Sequence, residues 1–222
     1  MVDITDLKSV GRKPLPVQVW PRVPYFISPI KVHMFIQTDV TPNPNAIKFF
    51  PSVAVSPDQP MHYSSITEAK EASTLAVQLF SINKVKSVFF GSDFITITKE
   101  EEGDWLILKP EILMVIMDYF TAGFAVFDLQ SSKSHVKNSD SMSKIELEII
   151  EIIETRVRPS VAMDGGDIIY KGFENGVVKL ELRGACQGCP SSSLTLKSGI
   201  ESMLKHFVPE VESVEAYSES EE

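Results

Sequence analysis

The chain has 222 residues, 43% of them hydrophobic, enough to bury an apolar core in one domain or two small ones. A formal net charge of −9 argues against nucleic-acid binding, which rests on Lys and Arg, and no stretch approaches the roughly 18 uninterrupted apolar residues of a membrane span. The only cysteines, Cys186 and Cys189, stand too close together to staple a chain of this length, so a reducing compartment suits it better than a disulfide scaffold.

Residues 1–33 carry five prolines and the bases Lys8, Arg12, Lys13, Arg22 and Lys31, without the apolar run and cleavage site of a secretory signal. They read as a leader, disordered or targeting, in which Asp3, Asp6 and the prolines depart from an amphipathic mitochondrial presequence. Residues 34–37 predict a short strand, Thr41-Pro42-Asn43-Pro44-Asn45 a turn, and residues 46–50 a second strand. Over residues 67–80, Ala72, Leu75, Ala76 and Leu79 share one helical side, with Glu68, Lys70 and Glu71 towards water. Residues 85–90 and 94–98 predict a strand pair joined through Gly91-Ser92-Asp93. Pro110 marks the expected start of a largely buried helix over 112–120.

Residues 128–142 abandon periodicity for Ser, Lys and Asn and read as a polar linker. Ser143, with Glu146 three residues on, predicts a capping box ahead of Ile145, Ile149, Ile152, Ile153 and Val157, and Pro159 is expected to end that helix. Asp164-Gly165-Gly166-Asp167 and Glu174-Asn175-Gly176 predict turns on either side of a strand. Val178, Leu180 and Leu182 then alternate with Lys179, Glu181 and Arg183, the pattern of a half-buried strand. That strand runs into Gly184-Ala185-Cys186-Gln187-Gly188-Cys189-Pro190. Beyond it Leu196, Ile200, Met203, Leu204 and Phe207 mark a helix that stops before Pro209, and residues 211–217 a last strand. The expected fold is α+β: two small α+β domains, 34–127 and 143–217, joined by the linker, the second ordered helix-strand-strand-CxxC-helix-strand. Residues 218–222 form an acidic tail, and six glutamates lie within the last thirteen residues.

Tetrahedral zinc sites and iron–sulfur clusters take about four protein ligands, so Cys186 and Cys189 are half of a metal site. A second copy of the chain is the simplest source of the rest. A helix starting just after the pair favours thiolates through its unpaired N–H groups and dipole, while Gly184 and Gly188 leave room for a bulky cluster or a partner. Thiol–disulfide exchange suits the same position, as does structural zinc in a dimer, and an inert buried pair is the plain alternative. Against exchange stand the absence of a flanking aromatic and of a third cysteine, and a topology in which two hairpin strands precede the motif.

The wider pattern is more specific. Asp164-Gly165-Gly166-Asp167, the run from Gly184 to Ser192, and Pro209-Glu210-Val211 resemble the C-terminal domain of the NifU family, the Nfu-type iron–sulfur cluster scaffolds. Thr41-Pro42-Asn43-Pro44-Asn45, Lys48-Phe49 and the run from Val85 to Gly91 are similar to the N-terminal domain of eukaryotic and some bacterial Nfu proteins. The resemblance spans residues 34–217 and implies a non-enzymatic carrier that holds a [4Fe–4S] cluster through Cys186 and Cys189 of two chains and passes it to apo-proteins. It further implies a homodimer when loaded, upstream cluster donors, clients such as lipoyl synthase and respiratory-chain components, and a mitochondrial location. The ligand count alone also accommodates a [2Fe–2S] unit across a dimer.

Other polar residues have plainer explanations. Turn formation accounts for Asp164 and Asp167, and for Asn43 and Asn45. His33, His62, His135 and His206 lack metal-ligand spacing, and Trp105 reads as core. The first domain shows no catalytic set, which leaves it a binding or dimer-supporting role.

Overall fold

The computed structural model describes residues 35–57, 59–126, 143–187 and 190–217. The leader at 1–33, Met34, the linker at 128–142, Gly188, Cys189 and the tail at 218–222 lie outside the described residues.

The N-terminal half runs β1 (Gln37–Val40), β2 (Ala46–Phe50), β3 (Met61–Tyr63), α1 (Ile66–Lys70), α2 (Thr74–Phe80), β4 (Val85–Phe90), β5 (Ile95–Lys99) and α3 (Trp105–Thr121). Its strands form one antiparallel sheet in the order β1-β2-β5-β4-β3. The turn between β1 and β2 is closed by side chains: Thr41 Oγ1 donates to the carbonyls of Asn43 and Ala46, and Asn43 Oδ1 accepts from the Asn45 amide at 2.9 Å. Alternation sends Phe49, Val88, Phe90, Ile95 and Ile97 to one side, where Leu75, Leu79, Leu108, Ile112, Ile116 and Tyr119 of the helices complete a core. Each such buried side chain contributes about 1.5–3 kcal/mol.

Four elements depart from the sequence reading, the first being β1, which spans Gln37–Val40 where residues 34–37 were expected. The single helix expected over 67–80 is two, because Ser65 and Ser73 each act as an N-cap, accepting from the amides of Glu68 and Ala76. Ser73 Oγ also donates to the Val126 carbonyl at 2.6 Å, pinning the break. Helix α3 begins before Pro110 instead of at it: Asp104 caps the helix by accepting from the Leu106 amide, and both Pro110 and Leu106, four residues before it, are exposed. Strand β3, a three-residue edge after Pro60, is too short to give a periodic signal.

The C-terminal half comprises α4 (Lys144–Ile152), a π-helical turn (Ile153–Val157), α5 (Arg158–Met163), β6 (Gly166–Glu174), β7 (Val177–Gly184), α6 (Pro190–Phe207) and β8 (Ser213–Ala216). The capping box at Ser143 and Glu146 is present in full. Pro159 does not end the first helix. The Arg158 amide bonds five residues back to the Ile153 carbonyl, and this widened turn carries the chain past the proline, which lacks an N–H, into α5. Gly165, at φ +84, then stops α5, its amide bonding the Ala162 carbonyl. Strands β6 and β7 form a hairpin through Asn175 and Gly176, both at positive φ, while β8 pairs parallel to β7 after the α6 crossover. Ile149, Ile153, Val161, Ile168, Val178, Leu204 and Val214 fill its core.

Both sheets fall within one compact unit of the chain.

Candidate functional site

The cysteine loop leaves the C-terminal end of β7, where register sets Gly184 opposite Gly166. Both positions exclude side chains. A Cβ on Gly166 would stand 2.7 Å from Cys186 Sγ and 2.6 Å from the Arg183 carbonyl oxygen. One on Gly184, at φ +65, would meet the Gly165 carbonyl at 2.7 Å. Gly184 therefore lets two backbones approach, a different use from the room for a cluster suggested by sequence. The Ala185 amide donates to the Gly165 carbonyl at 3.1 Å and the Gln187 amide to that of Gly184, which folds residues 185–187 into a turn ahead of α6.

Cys186 sits in that turn, 4% exposed, against the C-terminal core. Its predicted companion, Cys189, lies outside the described residues. No group of three or more His, Cys, Asp or Glu side chains able to hold a metal ion occurs among the described residues.

The two aspartates of Asp164-Gly165-Gly166-Asp167 separate in role. Asp164 ends α5, as turn formation requires. Asp167 is a buried ion-pair partner: Arg158 Nε lies 2.9 Å from its Oδ1, while the same guanidinium reaches the Ile168 carbonyl and Glu154. This pairing fixes the start of β6, and with it Gly166, beneath Cys186.

The N-terminal sheet meets this loop along one transverse row. Register aligns Lys48, Thr96, Phe89 and His62 across β2, β5, β4 and β3, all on the face opposite the helices. Lys48 Nζ donates to the Met163 carbonyl at 2.5 Å, and Thr96 Oγ1 to that of Gly165 at 2.8 Å. Phe89 closes over Gly184, where a Cβ would lie 3.1 Å from Cδ1 of the ring. His62 stands next to Gln187, the residue after Cys186. Its imidazole is held below the ordinary value by burial, then by the Arg183 guanidinium, against the opposing Glu181 and Glu68 carboxylates. Beside the row, Asn43 Nδ2 donates to the Ala185 carbonyl at 2.9 Å. Asn43 thus closes its own turn with Oδ1 and reaches the cysteine loop with Nδ2, a contact across 142 positions of sequence that local pattern does not encode.

Residues 36–123 match the family model described as scaffold protein Nfu/NifU N terminal, and residues 149–215 match that of the NifU-like domain. The human protein named "NFU1 iron-sulfur cluster scaffold homolog, mitochondrial" is 48% identical over 197 residues, covering 88% of this chain and 76% of its own. Its namesake in Drosophila ananassae is 44% identical, covering 82% of this chain, which spans 64% of that relative. A solution NMR structure of a NifU-like protein from Saccharomyces cerevisiae covers 44% of this chain and 87% of its own at 29% identity and a TM-score of 0.40. The two family models together define a scaffold protein with an Nfu-type N-terminal region followed by a NifU-like domain. The chain belongs to the Nfu/NifU family of scaffold proteins.

Proposed function

We propose that the protein is an iron–sulfur cluster scaffold and carrier, non-enzymatic, whose cargo is one [4Fe–4S] cluster held by Cys186 and Cys189 of two chains and passed to apo-proteins. The observation that carries this reading is the position of Cys186, in a turn between β7 and α6 inside the region matched as NifU-like, in a chain with one other cysteine. Two thiolates per chain need a second chain to complete four ligands, and a cluster at such a junction is open to incoming client thiols. In this reading residues 34–127 are the N-terminal domain, 143–217 the cluster-binding domain, and 128–142 the linker. The mitochondrial names of the relatives support a mitochondrial location.

Thiol–disulfide exchange is the second reading, favoured by one observation: β7, α6 and β8 form a parallel strand-helix-strand unit with the cysteines at its first junction. Anaerobic reconstitution with iron and sulfide separates the two. Four irons per dimer, a broad visible absorption and a dimeric mass are expected. A colourless, iron-free monomer overturns the scaffold reading, and two irons per dimer replaces the cargo with a [2Fe–2S] unit. Cys186→Ala and Cys189→Ala are each expected to abolish iron retention with the apo fold preserved by circular dichroism. Alanine is the cleaner probe at 186, because a serine hydroxyl in that buried position costs about 1–3 kcal/mol when unpaired.

A further inference from the structure

Helix α3 of the N-terminal half is apolar on both sides. Leu108, Ile112, Ile116 and Tyr119 are buried in the core, as a helix laid on a sheet requires, but its outer side is apolar as well. At 3.6 residues per turn, Leu106, Ile107, Pro110, Met114 and Met117 fall within an arc of about 100° and form one stripe along about three turns. All five are exposed, Met117 by 44%, Met114 by 61% and Leu106 by 85%. Single exposed apolar residues are ordinary. A contiguous stripe of them marks a surface that another molecule covers, since a helix apolar all round otherwise belongs in an interior.

The charges beside the stripe point to what covers it. Glu111 and Asp118, both exposed, border one flank and stand seven residues apart, nearly in line along the helix. Neither forms a salt bridge with another described residue. Glu101 and Glu102 add negative charge just before the helix, Glu102 shared with Lys84, and the one base within α3, Lys109, falls on the other flank. A second copy of α3 would set acids against these acids, whereas a basic surface complements them. Met114 and Met117, unbranched and flexible, adapt the stripe to apolar residues of differing shape. We propose that the outer face of α3 docks an amphipathic helix of a partner protein, whose apolar side covers Leu106, Met114 and Met117 and whose Lys or Arg residues, seven apart, meet Glu111 and Asp118. The surface includes neither cysteine and does not depend on the cluster reading. It gives the N-terminal half a function of its own, the recruitment of a partner by shape and charge.

The test uses the full-length protein and a fluorescein-labelled peptide of about three heptads, with Leu at the two apolar positions of each heptad and Lys beside them, read by fluorescence anisotropy. Equimolar binding is expected, and the same peptide with Glu in place of Lys should bind about tenfold or more weakly. Met114→Gln combined with Met117→Gln keeps the net charge and should weaken the Lys peptide by about tenfold or more. Glu111→Gln with Asp118→Asn should weaken it by about threefold to tenfold and flatten its salt dependence. Glu148→Gln with Glu151→Gln removes the same charge from exposed positions of α4 and should leave affinity unchanged. Native affinity in the methionine pair overturns the proposal, because the peptide then sits elsewhere on an acidic chain, and so does equal binding of the Glu peptide. Peroxide oxidation of Met114 and Met117, read by peptide mass spectrometry, tests the remaining occupants. Rapid oxidation in the free protein, slowed by the Lys peptide, is expected. Protection in the free protein at every concentration would assign the face to a segment of the same chain, and protection that grows with protein concentration would assign it to a second copy. Either result overturns the partner helix.

Discussion

The five-stranded sheet buries β5 along its whole length, whereas along β7 of the three-stranded sheet only Val178, Leu180 and Gly184 are buried. In the first, helices cover one face with an apolar core and the cysteine-loop end of the other half covers part of the second. The smaller half has a three-stranded sheet and one core, and its precision comes from particular features: the Arg158–Asp167 pair, the Gly166–Gly184 approach and the π turn. Bulk burial supplies a stable platform in one half. In the other, single polar and glycine positions decide where a sulfur sits.

That contrast predicts unequal damage. The largest effect is expected from Arg158→Met, which strands the buried Asp167 carboxylate. Loss of a buried partner costs about 3–5 kcal/mol, and solvent beside Arg158, a third exposed, lowers this to roughly 2–3 kcal/mol. Amide exchange should accelerate in β6–β8 and remain native in β2 and β5, and equal acceleration in both sheets would dissolve the contrast. Next is a pair of substitutions within β6. Gly166→Ala sets a methyl group against Cys186 Sγ and the Arg183 carbonyl and is expected to cost about 1–3 kcal/mol in urea unfolding. Gly172→Ala meets nothing within 4 Å and should be neutral or stabilising by a few tenths of a kcal/mol to about 1. Similar losses at both positions would mean that the strand, and not the seat of the sulfur, sets the cost.

The smallest effect lies at the boundary between halves. Because the folded chain holds the His62 imidazole below its ordinary value, the unfolded chain binds a proton that the folded one refuses. The stability contribution is full above the unfolded value of about 6.5 and is lost as pH falls through the lower folded value. The urea midpoint should therefore drop on acidification from about pH 7 to about pH 5, and His62→Gln should make that drop shallower. An unaltered slope in His62→Gln would remove His62 from the boundary's electrostatics.

Much of each half was legible because its signals are local. The residues of β2, the Ser143 capping box, the Asn175-Gly176 hairpin and the alternation in β7 are fixed by neighbours a few positions away. The prolines misled because their effect depends on the turn they occupy: Pro110 follows a helix already started by Asp104, and Pro159 follows a π turn that absorbs it. At the site, the spacing and setting of the cysteines marked Cys186, but its surroundings were hidden. Alternation assigns Lys48 and Thr96 to a solvent face, and only contacts to Met163 and Gly165, 115 and 69 positions away, bury them.

The parallel pairing of β8 with β7 has a spatial consequence. Because both strands point the same way, the chain quits the sheet at Tyr217, whose amide bonds the Leu180 carbonyl, on the side from which the cysteine loop springs. Four residues of strand, about 13 Å, separate Leu180 from Gly184. Tyr217, the last described residue, therefore leaves the sheet on the same side as the turn that carries Cys186, about four strand residues short of it.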